Sequence, residues 1–347
     1  MQVTEQWRAR VLEAAASKRP LRIRGGGTKD FYGQAFDGDI LDTRAYSGII
    51  DYEPTELVIT ARCGTPLAEI DAALAQHNQM LAFEPPHFGA GATLGGAIAS
   101  GLSGPRRATS GAVRDFVLGT VLLDGTGDVL TFGGQVMKNV AGYDVSRLMA
   151  GAMGTLGVML QHSVKVLPRA RREASLRFAM SEIDALRQLN TWGGMPLPVS
   201  ASCWHDGMLT LRLSGATASV DAALTTLGGE LFPDCAPFWE SVREQQHPFF
   251  AGDAPLWRLS VPPTTSALVL PGRQLIEWGG ALRWLKSDVD AATVRRSVSA
   301  AGGHATLFRG GDKAVGVFQP LAPPIARIHQ RLKASFDPSH IFNPGRM

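Results

Sequence analysis

A glycine run after a short apparent strand is the first feature of this sequence that could bind a ligand. Leu21 to Arg24 has the character of a strand, and Gly25, Gly26 and Gly27 follow it, ahead of Thr28. Successive glycine N–H groups can point toward one position and form an anion-binding nest suited to a pyrophosphate. The third glycine and the following helix of a Rossmann fingerprint are missing. A plain glycine turn has the same pattern, so the run alone leaves both interpretations open.

A second element combines small residues with the start of a helix. Residues 93 to 96 read TLGG and open a small-residue helix that ends near Gly101, and prolines just upstream favour an extended approach. N–H groups at a helix start favour an anion. Tight packing of a small-residue helix against a sheet would produce the same pattern.

Residues 133 to 168 combine a polar turn, a helical stretch, regularly spaced glycines and a strand. Asp144 is placed to cap a short helix whose apolar face comprises Val145, Leu148 and Met149. Glycines three apart precede the apolar strand, at Gly151, Gly154 and Gly157, with Val158 beginning the strand. Backbone without Cβ atoms can approach a planar or phosphorylated ligand closely. A tight helix-to-strand connection has the same spacing.

Proton-transfer chemistry has one candidate in the second half of the chain. His304 could act as an acid or base, although a lone histidine at a strand start is also typical of a packed or capped residue. His205 and His247 are scattered along the sequence, so neither a metal site nor a positioned general base is predicted. Arg106 and Arg107 form a basic loop that suits either solvent or an anionic ligand.

These motifs together resemble those of one group of flavoproteins. MKNVAGYDVSRLMAGAMGTLGV is similar to a segment of the vanillyl-alcohol oxidase superfamily, whose FAD domain is called the PCMH type. The three glycine elements also occur in the family's order between residues 25 and 157. WGGALRW at 278–284 and the DP…FNPG ending resemble the D-2-hydroxyacid dehydrogenases and, more closely, the E subunits of bacterial glycolate oxidases.

The resemblance implies an α+β fold with two domains. A two-lobed, PCMH-type FAD-binding domain would span residues 1–170, and a smaller α+β cap of the FAD-linked oxidase C-terminal kind would span 171–347. The tail at 330–347 would return to the flavin, with its asparagine near the isoalloxazine. Several relatives bond FAD to a loop histidine, whereas Thr28 and Lys29 follow the glycines here, so non-covalent FAD is expected. The implied cofactor-binding residues are Gly25, Gly26, Gly27, Thr28, Pro86, Thr93, Leu94, Gly95, Gly96, Gly101, Gly151, Gly154, Thr155, Gly157, Val158 and Asn343.

The implied function is that of the FAD-binding subunit of a multi-subunit glycolate oxidase, which converts glycolate to glyoxylate. The flavin would accept or relay electrons, and the partners would be a larger FAD-containing subunit and an iron–sulfur subunit. Two alternatives stay open. One is a stand-alone D-2-hydroxyacid dehydrogenase with His304 as catalytic base. The other is a structural scaffold subunit that has the flavin fold but does not undergo redox cycling.

Composition narrows the remaining classes of function. The 347 residues suffice for two domains, and a net charge of +3 without a basic stripe argues against nucleic acid as a partner. Cys63, Cys203 and Cys235 are isolated, which predicts no iron–sulfur framework in this chain and fits a reducing cytoplasm. No apolar run approaches the roughly 20 residues of a membrane span, so association with the inner membrane is expected only through partners.

Overall fold

The computed structural model describes residues 2–135 and 143–347. The predicted turn residues Lys138 to Gly142 therefore lie outside the described residues. In chain order the strands are β1 (Leu21–Arg24), β2 (Asp39–Asp42), β3 (Ile49–Glu53), β4 (Val58–Arg62), β5 (Gln79–Met80), β6 (Val117–Leu123), β7 (Val129–Gly133), β8 (Val158–Lys165), β9 (Leu167–Pro168), β10 (Arg172–Ala179), β11 (Val199–His205), β12 (Met208–Gly215), β13 (Glu230–Leu231), β14 (Leu256–Ser260), β15 (Arg273–Glu277), β16 (Leu282–Lys286) and β17 (His304–Arg309).

The helices alternate with these strands and give the α+β class that the resemblance implies. They are α1 (Gln2–Ser17), α2 (Leu67–Ala75), α3 (Leu94–Ser100), α4 (Arg107–Ser110), α5 (Val113–Phe116), α6 (Glu182–Gly193), α7 (Thr217–Leu227), α8 (Ala236–Arg243), α9 (Ala291–Ala300) and α10 (Pro323–Phe336). Short 3₁₀ turns occur at Ser146–Met149, Pro248–Phe250, Trp278–Gly280 and Lys313–Val315. None of the helices in the described ranges is long and apolar enough to cross a membrane.

The chain forms two compact units. The first unit contains Met1–Leu102, Ala112–Pro168 and Pro320–Met347, and the second contains Ser103–Gly111 and Arg169–Gln319. These units are defined by contacts between residues. The assignment of an FAD-binding domain to 1–170 and a cap to 171–347 stays a prediction.

The first unit is built on an antiparallel sheet in the order β3-β4-β8-β6-β7, beside a parallel pair of β1 and β2. Helices α2 and α3 supply fully buried side chains, including Ile70, Leu74 and Ile98, to the core of this unit. Each such aliphatic side chain contributes about 1.5–3 kcal/mol through burial. Thr93 caps α3 by accepting from the Gly96 N–H at 3.2 Å.

The second unit contains an antiparallel sheet in the order β13-β10-β12-β11-β15-β16-β14-β17. Leu209, Leu211 and Leu213 alternate along β12 and pack on one face against α6 and α7. An Asp-Gly pair between two apolar stretches predicts a hairpin turn, and Asp206 and Gly207 form the turn between β11 and β12 with φ values of +50° and +76°. Positive φ at both turn residues matches the right-handed twist of the paired strands.

The predicted helix after Asp144 is only a 3₁₀ turn, Ser146–Met149. Asp144 does accept from the Arg147 N–H, at 3.4 Å. Met149 is buried, but Leu148 is 44% exposed, so the expectation of one shared apolar face was wrong. A 3₁₀ turn has three residues per turn. A side chain three positions along therefore points in the same direction, whereas one four positions along does not.

Strand β8 contains a fully buried histidine whose ionisation should affect folding. His162 is 0% exposed, its Nδ1 lies 2.9 Å from Thr120 Oγ1, and its Nε2 has no partner among the described residues. Burial lowers the pKa of His162 to about 3. The unfolded chain binds this proton below about pH 6.5, whereas the folded chain does not until about pH 3. The stability due to neutral His162 is therefore present above pH 6.5 and lost as the pH falls.

We predict that the free energy of unfolding drops by about 2 kcal/mol more in the wild type than in His162→Gln between pH 7.5 and pH 5.0. Urea unfolding followed by far-ultraviolet circular dichroism at both pH values measures this difference. His329→Gln, at an exposed position on α10, should keep the wild-type pH dependence. Equal losses in the wild type and His162→Gln would contradict the assignment.

Candidate functional site

The glycine loop after β1 presents backbone N–H groups that the fold does not use. Within the described part of the chain, the N–H groups of Gly25, Gly26, Gly27 and Thr28 have no hydrogen-bond acceptor. All four residues line an open cleft, hereafter called the cleft. Unpaired backbone donors are costly unless water or a ligand satisfies them. The loop therefore offers a set of donors to an anionic ligand.

Only glycine fits at the centre of this loop. A Cβ atom on Gly26 would lie 1.6 Å from the carbonyl oxygen of Gly91 and 2.4 Å from its carbonyl carbon. Gly27 has φ +74°, a conformation that other residues rarely adopt. The two backbone segments consequently pass each other in direct contact, which fixes the loop beside the N-terminus of α3.

The TLGG element forms another wall of the cleft, with Thr93, Gly96, Ala99 and Ser100 in its lining. The first N–H groups of α3 are already engaged, because Leu94 N donates to Thr65 O and Gly95 N donates to Cys63 O, at 2.9 and 2.8 Å. The role of Leu94 and Gly95 in binding FAD, which the resemblance implies, stays a prediction. The amides hold α3 in place, and the 25–28 loop carries the available donors.

The third glycine element supports the cleft from outside. A Cβ atom on Gly154 would lie 2.6 Å from Asn343 Nδ2, and one on Gly101 would lie 2.8 Å from Gly151 Cα. Met153 lines the cleft, whereas its glycine neighbours do not. The predicted residues outside the cleft lining are Pro86, Leu94, Gly95, Gly101, Gly151, Gly154, Thr155, Gly157 and Val158.

Charged residues of the cleft were missed at the sequence level. Arg22, Arg24, Lys29 and Arg346 line it, together with a single carboxylate, Asp30. Asp30 Oδ2 accepts from Arg22 at 3.0 Å and from Arg24 at 2.7 Å. Four cations against one anion leave an excess of positive charge beside the free N–H groups. These residues fit the diphosphate of a dinucleotide.

Asn343 joins the C-terminal tail to two walls of the cleft. Its Oδ1 accepts from Ile23 N at 2.8 Å, and its Nδ2 donates to Met153 O at 2.7 Å. Asn343 is among the cleft residues, as its predicted role requires. Its direct contact with the isoalloxazine stays a prediction, because the observed bonds of the side chain amide are to the protein backbone.

His304 begins β17 in the second unit, with an exposed side chain. Partial desolvation of the ring and the Arg258 guanidinium lower its pKa. Within the described residues, the imidazole of His304 has no hydrogen-bond partner, although its backbone pairs with Ser260 of β14. A general base normally needs a group that orients it, so the structure adds no support for the catalytic assignment, which stays a prediction.

His205 and His247, scattered in sequence, lie together with ring centroids 5.6 Å apart. His247 Nδ1 accepts from Phe249 N at 3.2 Å, and His205 Nδ1 lies 3.0 Å from Gln274 O. Both imidazole rings therefore contact backbone atoms. Across residues 2–135 and 143–347, no group of three or more His, Cys, Asp or Glu side chains could hold a metal ion.

The basic loop at 106–107 belongs to the second unit and is not a solvated pair. Arg106 is buried and donates to Glu173 Oε2 at 2.7 Å. The guanidinium of Arg107 stacks on the Trp278 ring, 4.4 Å from its centroid. Trp278 and Trp284 are both buried, as is common for large aromatic side chains that anchor a core.

Comparisons with known proteins agree with this cleft. Residues 2–133 match the family model described as an FAD binding domain. The chain is 52% identical over 337 residues to glycolate oxidase subunit GlcE of Escherichia coli, covering 97% of this chain and 95% of that protein. The chain belongs to the GlcE family. The predicted PCMH-type FAD fold and the E-subunit resemblance are thereby confirmed.

More distant matches share part of the chain or only the fold. Glycolate oxidase subunit GlcD of Bacillus subtilis is 30% identical over 184 residues, which are 52% of this chain and 39% of that protein. D-lactate dehydrogenase of Archaeoglobus fulgidus is 33% identical over 44% of this chain and 34% of its own length. A solved structure of alkyldihydroxyacetonephosphate synthase aligns with TM-score 0.67 at 14% identity, over 97% of this chain and 74% of that chain.

Replacing Gly26 tests whether the glycine loop holds FAD. We predict that Gly26→Ala raises the Kd for FAD at least about tenfold, because the new Cβ displaces the loop from Gly91. Quenching of FAD fluorescence on titration with the flavin-free chain measures this Kd. Gly193→Ala is the matched control, since a Cβ there meets nothing within 4 Å. If Gly26→Ala bound FAD with the wild-type Kd, the FAD site would not include this loop.

Proposed function

We propose that this chain is the FAD-binding subunit of a multi-subunit glycolate oxidase, in which electrons from the oxidation of glycolate to glyoxylate pass to or through its flavin. The whole-length similarity to glycolate oxidase subunit GlcE carries this proposal. When bound, FAD supplies the redox chemistry that protein side chains lack. The protein's part is to bind, orient and shield the cofactor.

The cleft residues divide this work between backbone and side chains. The N–H groups of the 25–28 loop would donate to the diphosphate, and Arg22, Arg24 and Arg346 would neutralise its charge. Thr28 follows the glycines where covalent relatives carry a histidine, which supports non-covalent FAD. Without a covalent bond, FAD would be held by non-covalent contacts such as these.

The cysteines and the exposed His304 support a division of labour among subunits. Cys63 and Cys203 are fully buried, and burial raises the pKa of both thiols, that of Cys63 to about 12. Neutral, buried thiols are poor ligands for an iron–sulfur cluster. An iron–sulfur subunit would therefore be a separate chain, and a larger flavoprotein subunit would hold the base that accepts the substrate proton.

The similarity to glycolate oxidase subunit GlcD of Bacillus subtilis supports a larger partner subunit of related fold. It covers 39% of that protein but 52% of this chain, so that relative is the longer chain. We place the complex in the cytoplasm, with any contact with the inner membrane made by its other subunits.

The proposal predicts how the purified chain responds to substrate. Anaerobic stopped-flow mixing with glycolate should leave the flavin absorbance of the isolated chain unchanged. The flavin absorbance of the assembled complex should instead decrease as its flavin is reduced. Bleaching of the isolated chain would instead identify a stand-alone dehydrogenase. His304→Gln would then abolish that bleaching, while under our proposal it changes the turnover of the complex by less than about twofold.

A complex assembled with the Gly26→Ala chain distinguishes an electron-relay role of this chain from a purely structural role. Relay through this chain predicts that steady-state turnover with the complex's acceptor falls at least about tenfold relative to the Gly193→Ala control. Full turnover with a flavin-free Gly26→Ala subunit would support the scaffold alternative. Absence of flavin from the wild-type chain would refute the FAD assignment itself.

A further inference from the structure

The penultimate residue of the chain lies in the cleft. Arg346 is 8% exposed, and its guanidinium donates to Gln34 O at 2.7 Å and to Asp30 O at 3.0 Å. Gln34 N donates back to Arg346 O at 3.0 Å. These bonds connect the segment that follows α10 to the loop that follows the glycine run.

Upstream of Arg346, the tail is bonded to the other cleft walls. Leu21 N donates to Ile341 O at 2.7 Å, and Asn343 N donates to Leu21 O at 3.0 Å, so the tail extends the edge of β1. Lys333 Nζ also holds Phe342 O at 2.8 Å. The position of the Arg346 guanidinium consequently depends on docking of the whole tail.

The surroundings of Arg346 are electrostatically unbalanced. Burial lowers the pKa of Arg346, the Asp30 carboxylate opposes that shift, and the Arg22 guanidinium adds to it. Among the described residues of the cleft lining, Asp30 is the single carboxylate, and it already accepts from both Arg22 and Arg24. In the same part of the chain, the Arg346 guanidinium donates only to the carbonyl oxygens of Gln34 and Asp30. The buried Arg346 guanidinium therefore repels the other cationic side chains of the cleft, and a bound anion would relieve this repulsion.

We propose that Arg346 is a cofactor-binding residue that couples docking of the tail, residues 330–347, to binding of the flavin diphosphate. The inference rests on the proposed function as far as FAD is the ligand. A diphosphate neutralises the excess charge of the cleft and so stabilises the docked tail. By linkage, the docked tail must raise the affinity for the diphosphate by the same factor.

The coupling can be measured on the wild-type chain without any variant. Carboxypeptidase digestion followed by intact-mass spectrometry reports how fast the C-terminal residues are released. We expect rapid release from the flavin-free chain and at least about tenfold slower release with saturating FAD. ADP, which carries the diphosphate, should protect the tail as well, and riboflavin, which lacks it, should not. Equal release with and without FAD would overturn the proposal.

Variants at position 346 test the reverse direction of the coupling. Arg346→Gln should raise the Kd for FAD about tenfold to a hundredfold, since a charged hydrogen-bond partner is lost. Arg346→Lys should recover part of this loss, because it restores the charge without the planar fork. Arg331→Gln, at an exposed position on α10, is the matched control and should bind FAD like the wild type.

The outcomes separate this inference from the proposed function. Wild-type FAD affinity in Arg346→Gln would overturn the role of Arg346 while leaving the FAD subunit intact. Protection by riboflavin equal to that by ADP would overturn the diphosphate as the coupled group. If the wild-type chain binds neither FAD nor ADP, the proposed function itself fails, whatever the state of the tail.

Discussion

Direct contact between two backbones, at Gly26 and Gly91, is the constraint on which the cleft depends. The hypothetical Cβ of Gly26 would lie 1.6 Å from Gly91 O, so no side chain can separate the two segments. This contact places the 25–28 loop beside Thr93, whose hydroxyl caps α3. The unpaired N–H groups of the loop then lie in the same cleft as residues of α3.

The other glycine elements help to make this arrangement rigid through close packing. Gly95 packs against the backbone of Cys63, and Gly154 packs against the Asn343 amide. Asn343 in turn bonds to β1 and to Met153. A cofactor site needs donors held within a few tenths of an ångström by supporting contacts. The numerous glycines of this unit supply that support through close backbone packing.

The sequence was informative about the fold and partly informative about the site. The glycine run, the TLGG helix start, the Asp206-Gly207 hairpin and the buried tryptophans were predictable, because each depends on local turn chemistry or on side-chain type. The charged lining was missed. Arg22 and Arg24 alternate along β1 and share one face, which was the available signal. Arg346 gave no such signal, since its place in the cleft depends on long-range docking of the tail.

The glycines of 151–157 pose a different problem. Their spacing fits either ligand approach or helix-to-strand packing, and the contacts of Gly154 favour packing. Local pattern cannot reveal which neighbour fills the space that a missing Cβ leaves. In this fold the neighbour of Gly154 is a side chain more than a hundred residues away in sequence, Asn343.

A crystal structure of the chain saturated with FAD would test the central claim most directly. The account predicts diphosphate density within hydrogen-bonding distance of the N–H groups of Gly25 to Thr28, with Arg346 turned toward it. Diphosphate density elsewhere, with these amides facing solvent, would contradict the assignment of the cleft.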